Sequence, residues 1–76
     1  MKKGDKVKAR VEIVNAETFE MFPMNQIFVI IDTRPTHSVL VHMGYSKLTV
    51  KVDYEPKNFY FSDAFELVKT VGFIIE

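Results

Sequence analysis

The chain has 76 residues, with ten Lys or Arg, ten Asp or Glu, 47% hydrophobic residues and 26% charged residues. This balance is typical of a globular protein and excludes an intrinsically disordered chain, which needs low hydrophobicity and a high net charge; the length predicts one domain over residues 1–76. The absence of cysteine excludes a disulfide framework, a thiolate zinc site and a cysteine nucleophile.

The sequence shows no segment that would direct the chain to a membrane. No apolar run reaches about 18 residues, the length that indicates a membrane-spanning helix. The basic stretch Met1–Lys6 is not followed by the apolar segment of a secretory signal. We therefore expect a cytoplasmic protein with no membrane association.

The first predicted element is a strand over residues 6–13, because polar and apolar side chains alternate strictly there. The apolar face of this strand contains Val7, Ala9, Val11 and Ile13. The opposite face is basic and contains Lys6, Lys8 and Arg10.

Residues 15–25 have no regular hydrophobic period, and Pro23 argues against a strand or helix interior. We predict a long loop, which is unusual because it is apolar. Its large apolar residues are Phe19, Met21, Phe22 and Met24. Two interpretations stay open: the loop folds back and covers one end of the fold, or it exposes a surface for a partner. Both hold if some of the four side chains are buried while one or two project.

Three further strands are predicted in the middle of the chain. Residues 26–33 form a nearly continuous apolar run, which indicates a central strand covered on both faces. Residues 38–43 and 47–53 form a predicted hairpin around the reversal at Gly44–Ser46. Residues 54–58 form a predicted loop.

The C-terminal segment admits two predictions. Either residues 62–65 form a short 3₁₀ turn followed by a strand from about residue 66, or residues 62–71 form a helix capped near Asp63. The β-branched residues in this segment favour the turn and strand. The apolar tail at 73–76 is expected to pair within its own chain or across a homodimer.

The alternation and the apolar runs together predict the hydrophobic core. Its members are Val7, Val11, Ile13, Ile27, Val29, Ile31, Val39, Val41, Leu48, Val50, Phe65 and Leu67.

The order of the predicted elements is an alternating strand, a long loop, a central strand, a hairpin, a short turn and a final strand. Gly4–Ala9 opens this pattern, and Phe61–Val68 closes it with a polar turn and a hydrophobic–acidic–hydrophobic step. The pattern resembles an SH3-like small β-barrel over most of residues 4–71. The resemblance implies a mainly β fold: a five-stranded antiparallel barrel with a long first loop and one helical turn before the last strand. The chain has no tryptophan, so recognition of polyproline by a signalling SH3 domain is not implied.

Motifs that would support catalysis are missing from the sequence. It has no Gly-rich phosphate loop and no Gly-x-Ser-x-Gly elbow. The histidines, His37 and His42, lack the spacing of metal ligands. We therefore predict no enzyme activity, no catalytic residue, no bound metal and no cofactor.

The first functional hypothesis is a non-catalytic protein-interaction module. A specialised form of it is a small bacterial or phage-encoded protein that inhibits its partner. Methionine adapts its shape and aromatic rings dominate binding energy, so apolar mass in a loop is typical of a contact surface. The predicted contact residues are Phe19, Met21, Phe22, Met24, Tyr45, Tyr54 and Tyr60.

The alternative hypothesis is a small nucleic-acid-binding β-barrel. In this interpretation Lys6, Lys8 and Arg10 contact phosphates, while Tyr45, Tyr54 or Tyr60 stacks on bases. The isoelectric point of about 6.7 argues against it, because proteins that neutralise several phosphates are usually basic.

Overall fold

The computed structural model describes residues 1–68. The predictions for residues 69–76, including the pairing of the apolar tail, lie outside these residues. The described part of the chain contains β1 (Lys6–Ala9), β2 (Phe28–Pro35), α1 (Ser38–His42), β3 (Leu48–Val52), β4 (Glu55–Phe61), a 3₁₀ turn (Ser62–Ala64) and β5 (Phe65–Leu67).

The five strands of residues 1–68 form an antiparallel sheet in the order β4-β3-β2-β1-β5. β2 pairs with β1 near its beginning and with β3 over the rest of its length. This arrangement confirms a mainly β fold with five antiparallel strands. Within the described residues the sheet is open, because β4 and β5 are its two edges. Closure into a barrel is therefore not part of this hydrogen-bond pattern.

β1 is shorter than predicted because the next residue turns toward the 3₁₀ turn. The backbone N–H of Arg10 donates to the carbonyl of Ala64 at 2.8 Å, and its guanidinium donates to the carbonyl of Asp63 at 2.6 Å. The chain then bends at Arg10 and Val11, where the alternation ends. Val11 is consequently exposed, contrary to the prediction, whereas Ile13 is buried as predicted.

The inner face of β2 is the opposite of the predicted one. Ile27, Val29 and Ile31 were expected in the core, but the structure buries Phe28 and Ile30 completely and leaves Ile27 52% exposed. A continuously apolar run contains no alternation that would define its inner face. A shift by one residue exchanges the two faces of a strand, and that shift explains the wrong prediction.

The two ends of β2 also differ in their burial. A β-bulge between Ile30 and Asp32 changes the register with β3 and reorients the residues that follow it. Beyond the bulge, Asp32 and Arg34 are exposed. The prediction that this strand is covered on both faces is therefore wrong for its second half.

Residues 38–43 were predicted as a strand but contain α1. Nδ1 of His37 accepts a hydrogen bond from the backbone N–H of Val39 at 3.2 Å and caps the helix. So short a segment cannot show whether its hydrophobic period is that of a helix or a strand. Val39 is exposed, and the predicted hairpin with residues 47–53 is wrong.

β3 forms its hairpin with β4 instead. The turn lies at Asp53 and Tyr54, so most of the predicted loop over residues 54–58 is strand. Pro56 misled the prediction: proline is tolerated in β4 because β4 is an edge strand. Val50 faces the core as predicted.

The C-terminal end of the described chain confirms the first of the two predictions made for it. The 3₁₀ turn Ser62–Ala64 leads directly into β5. A helix over residues 62–71 is excluded by the extended backbone at Phe65.

The core of the described residues combines the sheet with the long loop. Of the predicted members, Val7, Ile13, Val50 and Phe65 are buried, whereas Leu67 lies exposed on an edge strand. The buried apolar residues are Val7, Ala9, Ile13, Phe22, Phe28, Ile30, Val50, Val52 and Phe65. Phe22 comes from the loop, so the loop supplies part of the core.

Candidate functional site

The long loop contains a tight, ordered reversal over residues 13–22, which we call the tip hairpin. Val14 and Met21 form an isolated antiparallel bridge. The N–H of Phe22 donates to the carbonyl of Ile13 at 2.8 Å, and the N–H of Asn15 donates to the carbonyl of Glu20 at 2.8 Å. The segment therefore has the backbone bonding of a hairpin without forming a regular strand.

Asn15 organises the turn at the end of the tip hairpin. Its side chain is buried, and its Oδ1 accepts the backbone N–H groups of Glu17 at 2.8 Å and Thr18 at 3.2 Å. Its carbonyl accepts the N–H of Phe19 at 2.8 Å. Asparagine is favoured in such turns because its short side chain bonds the backbone two or three residues ahead.

The two faces of the tip hairpin have different environments. Ile13 and Phe22 face inward and are buried, whereas the bridge partners Val14 and Met21 are exposed. Phe22 was predicted as a contact residue, but it is only 2% exposed and cannot offer its ring to a partner. Its ring lies 5.1 Å from that of Tyr60.

Phe19 is the most prominent side chain of the tip hairpin. It is 81% exposed, and its φ of 62° lies in the left-handed region. That conformation costs about 1–2 kcal/mol for a residue other than glycine. The hydrogen bonds around Asn15 maintain it. The result is an aromatic ring displayed on a turn of fixed geometry.

The tip hairpin is bound to β4 by a polar network. The N–H of Ala16 donates to the Tyr60 hydroxyl at 2.9 Å, and that hydroxyl donates to Oε2 of Glu55 at 2.9 Å. Nδ2 of Asn58 donates to Glu17 at 2.8 Å and to Glu55 at 3.0 Å. These bonds fix the position of the turn relative to the sheet.

Glu55 is a buried carboxylate whose hydrogen bonds keep it ionised. Burial raises its pKa, but the hydrogen bonds from the Lys57 N–H, Asn58 and Tyr60 lower it more, so the pKa of Glu55 lies below its ordinary value. Burial, together with the neighbouring Glu55 carboxylate, raises the pKa of Tyr60 to about 12. Tyr60 is therefore protonated at neutral pH and available as a hydrogen-bond donor.

The predicted contact residues fall into separate places in the structure. Met24 is exposed near the tip hairpin in sequence. Tyr54 is partly exposed, but its ring packs against that of Phe22 with a centroid distance of 5.0 Å. Tyr45 stacks on Phe61, which neighbours Tyr60 on β4 and so lies on the opposite face of the sheet. The structure thus does not bring the three tyrosines together.

The prediction missed Val14, which belongs to the exposed face of the tip hairpin. The alternation of Ile13 and Val14 would place them on opposite faces if the extended backbone continued past residue 13. The flanking side chains are acidic: Glu12, Glu17 and Glu20 are exposed, and residues 11–33 contain no Lys or Arg.

The basic residues of the alternative hypothesis are only partly available. The Arg10 guanidinium donates to the carbonyl of Asp63 through Nε at 2.9 Å and through Nη2 at 2.6 Å. Arg10 therefore supports the 3₁₀ turn. Lys6 is exposed and Lys8 is half-buried.

Within residues 1–68, no cluster of three or more His, Cys, Asp or Glu side chains has the arrangement of a metal site. His37 uses Nδ1 to cap α1, and His42 is exposed at the end of that helix. The same part of the chain contains no helix that is long and apolar enough to cross a membrane.

Comparisons of the chain with protein-family models, with curated proteins and with solved structures found no match.

Proposed function

We propose that the protein is a non-catalytic protein-interaction module whose contact surface is the exposed face of the tip hairpin. This surface consists of Val14, Phe19 and Met21, and the exposed Met24 follows two residues after the tip hairpin. On the opposite, inward side, the ring of Phe22 packs against the rings of Tyr54 and Tyr60. The observation that carries the proposal is Phe19, an aromatic ring exposed on a turn that holds its backbone in a strained conformation.

The physical argument rests on the rigidity of the turn. A large apolar side chain that is already fixed in place loses little conformational entropy on binding. Aromatic residues at the centre of an interface contribute most of its binding energy. A flexible loop could fold Phe19 back against the core, but the bonds of Asn15 and Ala16 keep the turn directed outward.

The surrounding charge indicates what kind of protein surface would fit. Glu12 and Glu20 are exposed and neighbour the apolar residues in sequence, and residues 11–33 contain no Lys or Arg. Glu17 in the same turn has Nζ of Lys57 at 3.9 Å. A partner with an apolar pocket and basic residues at its rim would complement this surface. An inhibitor of a partner protein remains the specialised form of the proposal.

We also propose that the sheet belongs to an SH3-like small barrel. β1 lies between β2 and β5, β2 pairs with strands on both sides, and a 3₁₀ turn precedes β5. These features support the proposal because the resemblance in the sequence implies five antiparallel strands with one helical turn before the last strand.

Affinity capture with mass spectrometry tests the proposed function. The intact protein, the Phe19→Ser variant and the Met43→Ser variant serve as baits in a bacterial lysate. Met43 is a suitable control because it is exposed and apolar but lies at the end of α1. We expect at least one protein to be retained by the intact bait and by Met43→Ser and lost with Phe19→Ser.

Thermal melts of the three baits verify that all are folded. Because Phe19 is almost fully exposed, its replacement should leave the melting temperature within a few degrees of the intact protein. If all three folded baits retained the same proteins, the tip hairpin would not be the contact surface and the proposal would be wrong.

A further inference from the structure

A second surface lies on the face of the sheet opposite to the core. Phe59 and Phe61 flank the core-side Tyr60 in β4, so both rings belong to this outer face. The guanidinium carbon of Arg34 lies 4.2 Å from the centroid of the Phe59 ring, and Nζ of Lys51 lies 4.6 Å from it. Two cations of neighbouring strands therefore converge on one aromatic ring.

Tyr45 extends this arrangement. Its ring stacks on that of Phe61, with a centroid distance of 4.8 Å and an interplanar angle of 14°. Ser46, the residue after Tyr45, is hydrogen-bonded through its hydroxyl to the hydroxyl of Ser62 at 2.7 Å. This bond connects the segment containing Tyr45 to the beginning of the 3₁₀ turn. Tyr45 is nevertheless 46% exposed, so part of this side chain is accessible to a ligand. We call the side chains of Arg34, Tyr45, Lys51, Phe59 and Phe61 the outer sheet layer.

We propose that the outer sheet layer binds single-stranded nucleic acid. An unpaired base stacks on Tyr45, and Arg34 and Lys51 contact the phosphates. The proposal concerns a different face and different cations from the β1 site of the alternative hypothesis, in which Arg10 is engaged by a backbone carbonyl.

The chemistry of the layer matches a ligand that is both flat and anionic. Every base presents a π-face to an aromatic ring, so stacking needs no particular sequence. The two cations complement the charge of the sugar–phosphate backbone. Asp32 is exposed beyond the bulge and lies opposite Lys51 in the register of β2 and β3. Its Oδ1 accepts the N–H of Thr33 at 2.9 Å, and its negative charge leaves Arg34 as the cation of this layer that has no carboxylate opposite it in the register. The bases of a duplex are already paired and stacked, so a duplex would lack the stacking contact.

The number of cations sets the expected dependence on salt. For two phosphate contacts on a single strand, a plot of the logarithm of the association constant against the logarithm of the salt concentration has a slope of about −1.4. A rise in NaCl from about 50 to about 200 mM would then weaken binding about seven-fold. This modest dependence is consistent with a chain whose net charge is zero.

Fluorescence anisotropy with labelled oligonucleotides tests the proposal. The probes are oligo(U) RNA, oligo(dT) DNA and a DNA duplex of the same length, each titrated with the intact protein at the two salt concentrations. We expect one or both single strands to bind with the stated salt dependence and more tightly than the duplex. The two single-stranded probes show whether RNA or DNA is preferred.

Two pairs of variants locate the site. Tyr45→Leu should weaken single-strand binding roughly 5- to 150-fold, the range expected for one stacked base, whereas Tyr45→Phe should change it less than two-fold. Arg34→Gln should weaken binding and reduce the slope by about 0.7. Lys6→Gln removes the same charge from β1 and should leave the slope unchanged.

Several results would overturn the proposal. These are the absence of single-strand binding at about 50 mM salt, duplex binding as tight as single-strand binding, and equal affinities of folded Tyr45→Leu and Tyr45→Phe. A larger effect of Lys6→Gln than of Arg34→Gln would place nucleic acid on β1 instead. Melting curves of all variants verify folding. If Tyr45→Leu does not fold, the comparison of Arg34→Gln with Lys6→Gln decides the outcome.

Discussion

Phe22 is the residue at which the tip hairpin and the sheet meet. Its ring centroid lies within 6.2 Å of those of four other aromatic residues, in edge-on or tilted arrangements: Phe28, Tyr54, Tyr60 and Phe65. Such geometries stabilise aromatic pairs beyond the burial of their area. Three of these partners, Tyr54, Tyr60 and Phe65, are more than 30 residues away in the sequence, so the ring connects distant parts of the chain.

We therefore expect Phe22→Ala to lower the free energy of unfolding by about 3–5 kcal/mol. That is a large part of the stability of a small domain, which is about 5 kcal/mol at the low end of the usual range. Urea denaturation followed by circular dichroism measures the effect. Phe19→Ala removes the same ring from an exposed position and should change the free energy by about 0.5 kcal/mol or less. Equal effects of the two substitutions would show that Phe22 is not in the core.

The different fates of Phe19 and Phe22 could not be predicted from the sequence. The segment that contains both has no hydrophobic period, so nothing in the pattern separates an inward ring from an outward one. The sequence left two interpretations of the loop open, and the structure buries one of its four large apolar residues, Phe22, and exposes the other three. The turn at Asn15 determines which ring faces inward. The hydrogen bonds within this turn are local, but its orientation depends on the bond from Ala16 to Tyr60 in β4.

At the scale of the elements, β2 is the strand that joins the two parts of the sheet. It pairs with β1 through Phe28 and Val29 and with β3 from Ile30 onward. The bulge after Ile30 allows the first half of the strand to face the core while the second half carries Arg34 on the outer face.

The register of β2 can be tested by two identical substitutions. Ile30→Ala should cost about 2–5 kcal/mol, because Ile30 is completely buried. Ile27→Ala should cost less than about 1 kcal/mol, because that side chain is half exposed. Chemical denaturation of both variants gives the comparison. The reverse order of effects would support the register predicted from the sequence.

The elements that could be predicted are those with strict alternation or distinctive turn residues. β1, β3 and the turn before β5 were identified from such local patterns. α1 and the first half of β4 were not, because Val39 and Val41 favour a strand by intrinsic propensity while Pro56 indicates a loop; residues 59–61 were predicted as strand-like and are strand. β4 tolerates its proline because it is an edge strand, and α1 begins at the cap that His37 provides.

Across the whole molecule, the polar network under the tip hairpin links the stability of the fold to pH. The pKa of Glu55 is lowered in the folded protein, so its contribution is present above the ordinary value of about 4.5 and is lost as the pH falls through the lowered pKa. The pKa of Tyr60 is raised to about 12. Its contribution is therefore complete below the ordinary value of about 10 and is lost as the pH rises toward about 12.

We expect the contribution of these two groups to the free energy of unfolding to be constant between about pH 5 and pH 10 and to decline on both sides. Denaturation curves recorded within this range and on both sides of it measure the contribution, and absorbance titration follows the ionisation of tyrosine near pH 12. Tyr60→Phe should remove that ionisation step and the alkaline decline associated with it. An unchanged titration in Tyr60→Phe would assign the high pKa to another tyrosine.

The bonds that anchor the tip hairpin involve the backbone and the side chains of Asn15, Glu17 and Phe22. None of them uses the side chains of Phe19 or Met21, and Val14 contributes only through its backbone bridge. The displayed side chains can therefore vary without removing a bond that holds the turn in place, although the left-handed backbone at position 19 disfavours β-branched residues there. The fold separates the positions that specify a partner from the positions that specify the shape, and one scaffold can accommodate many recognition sequences.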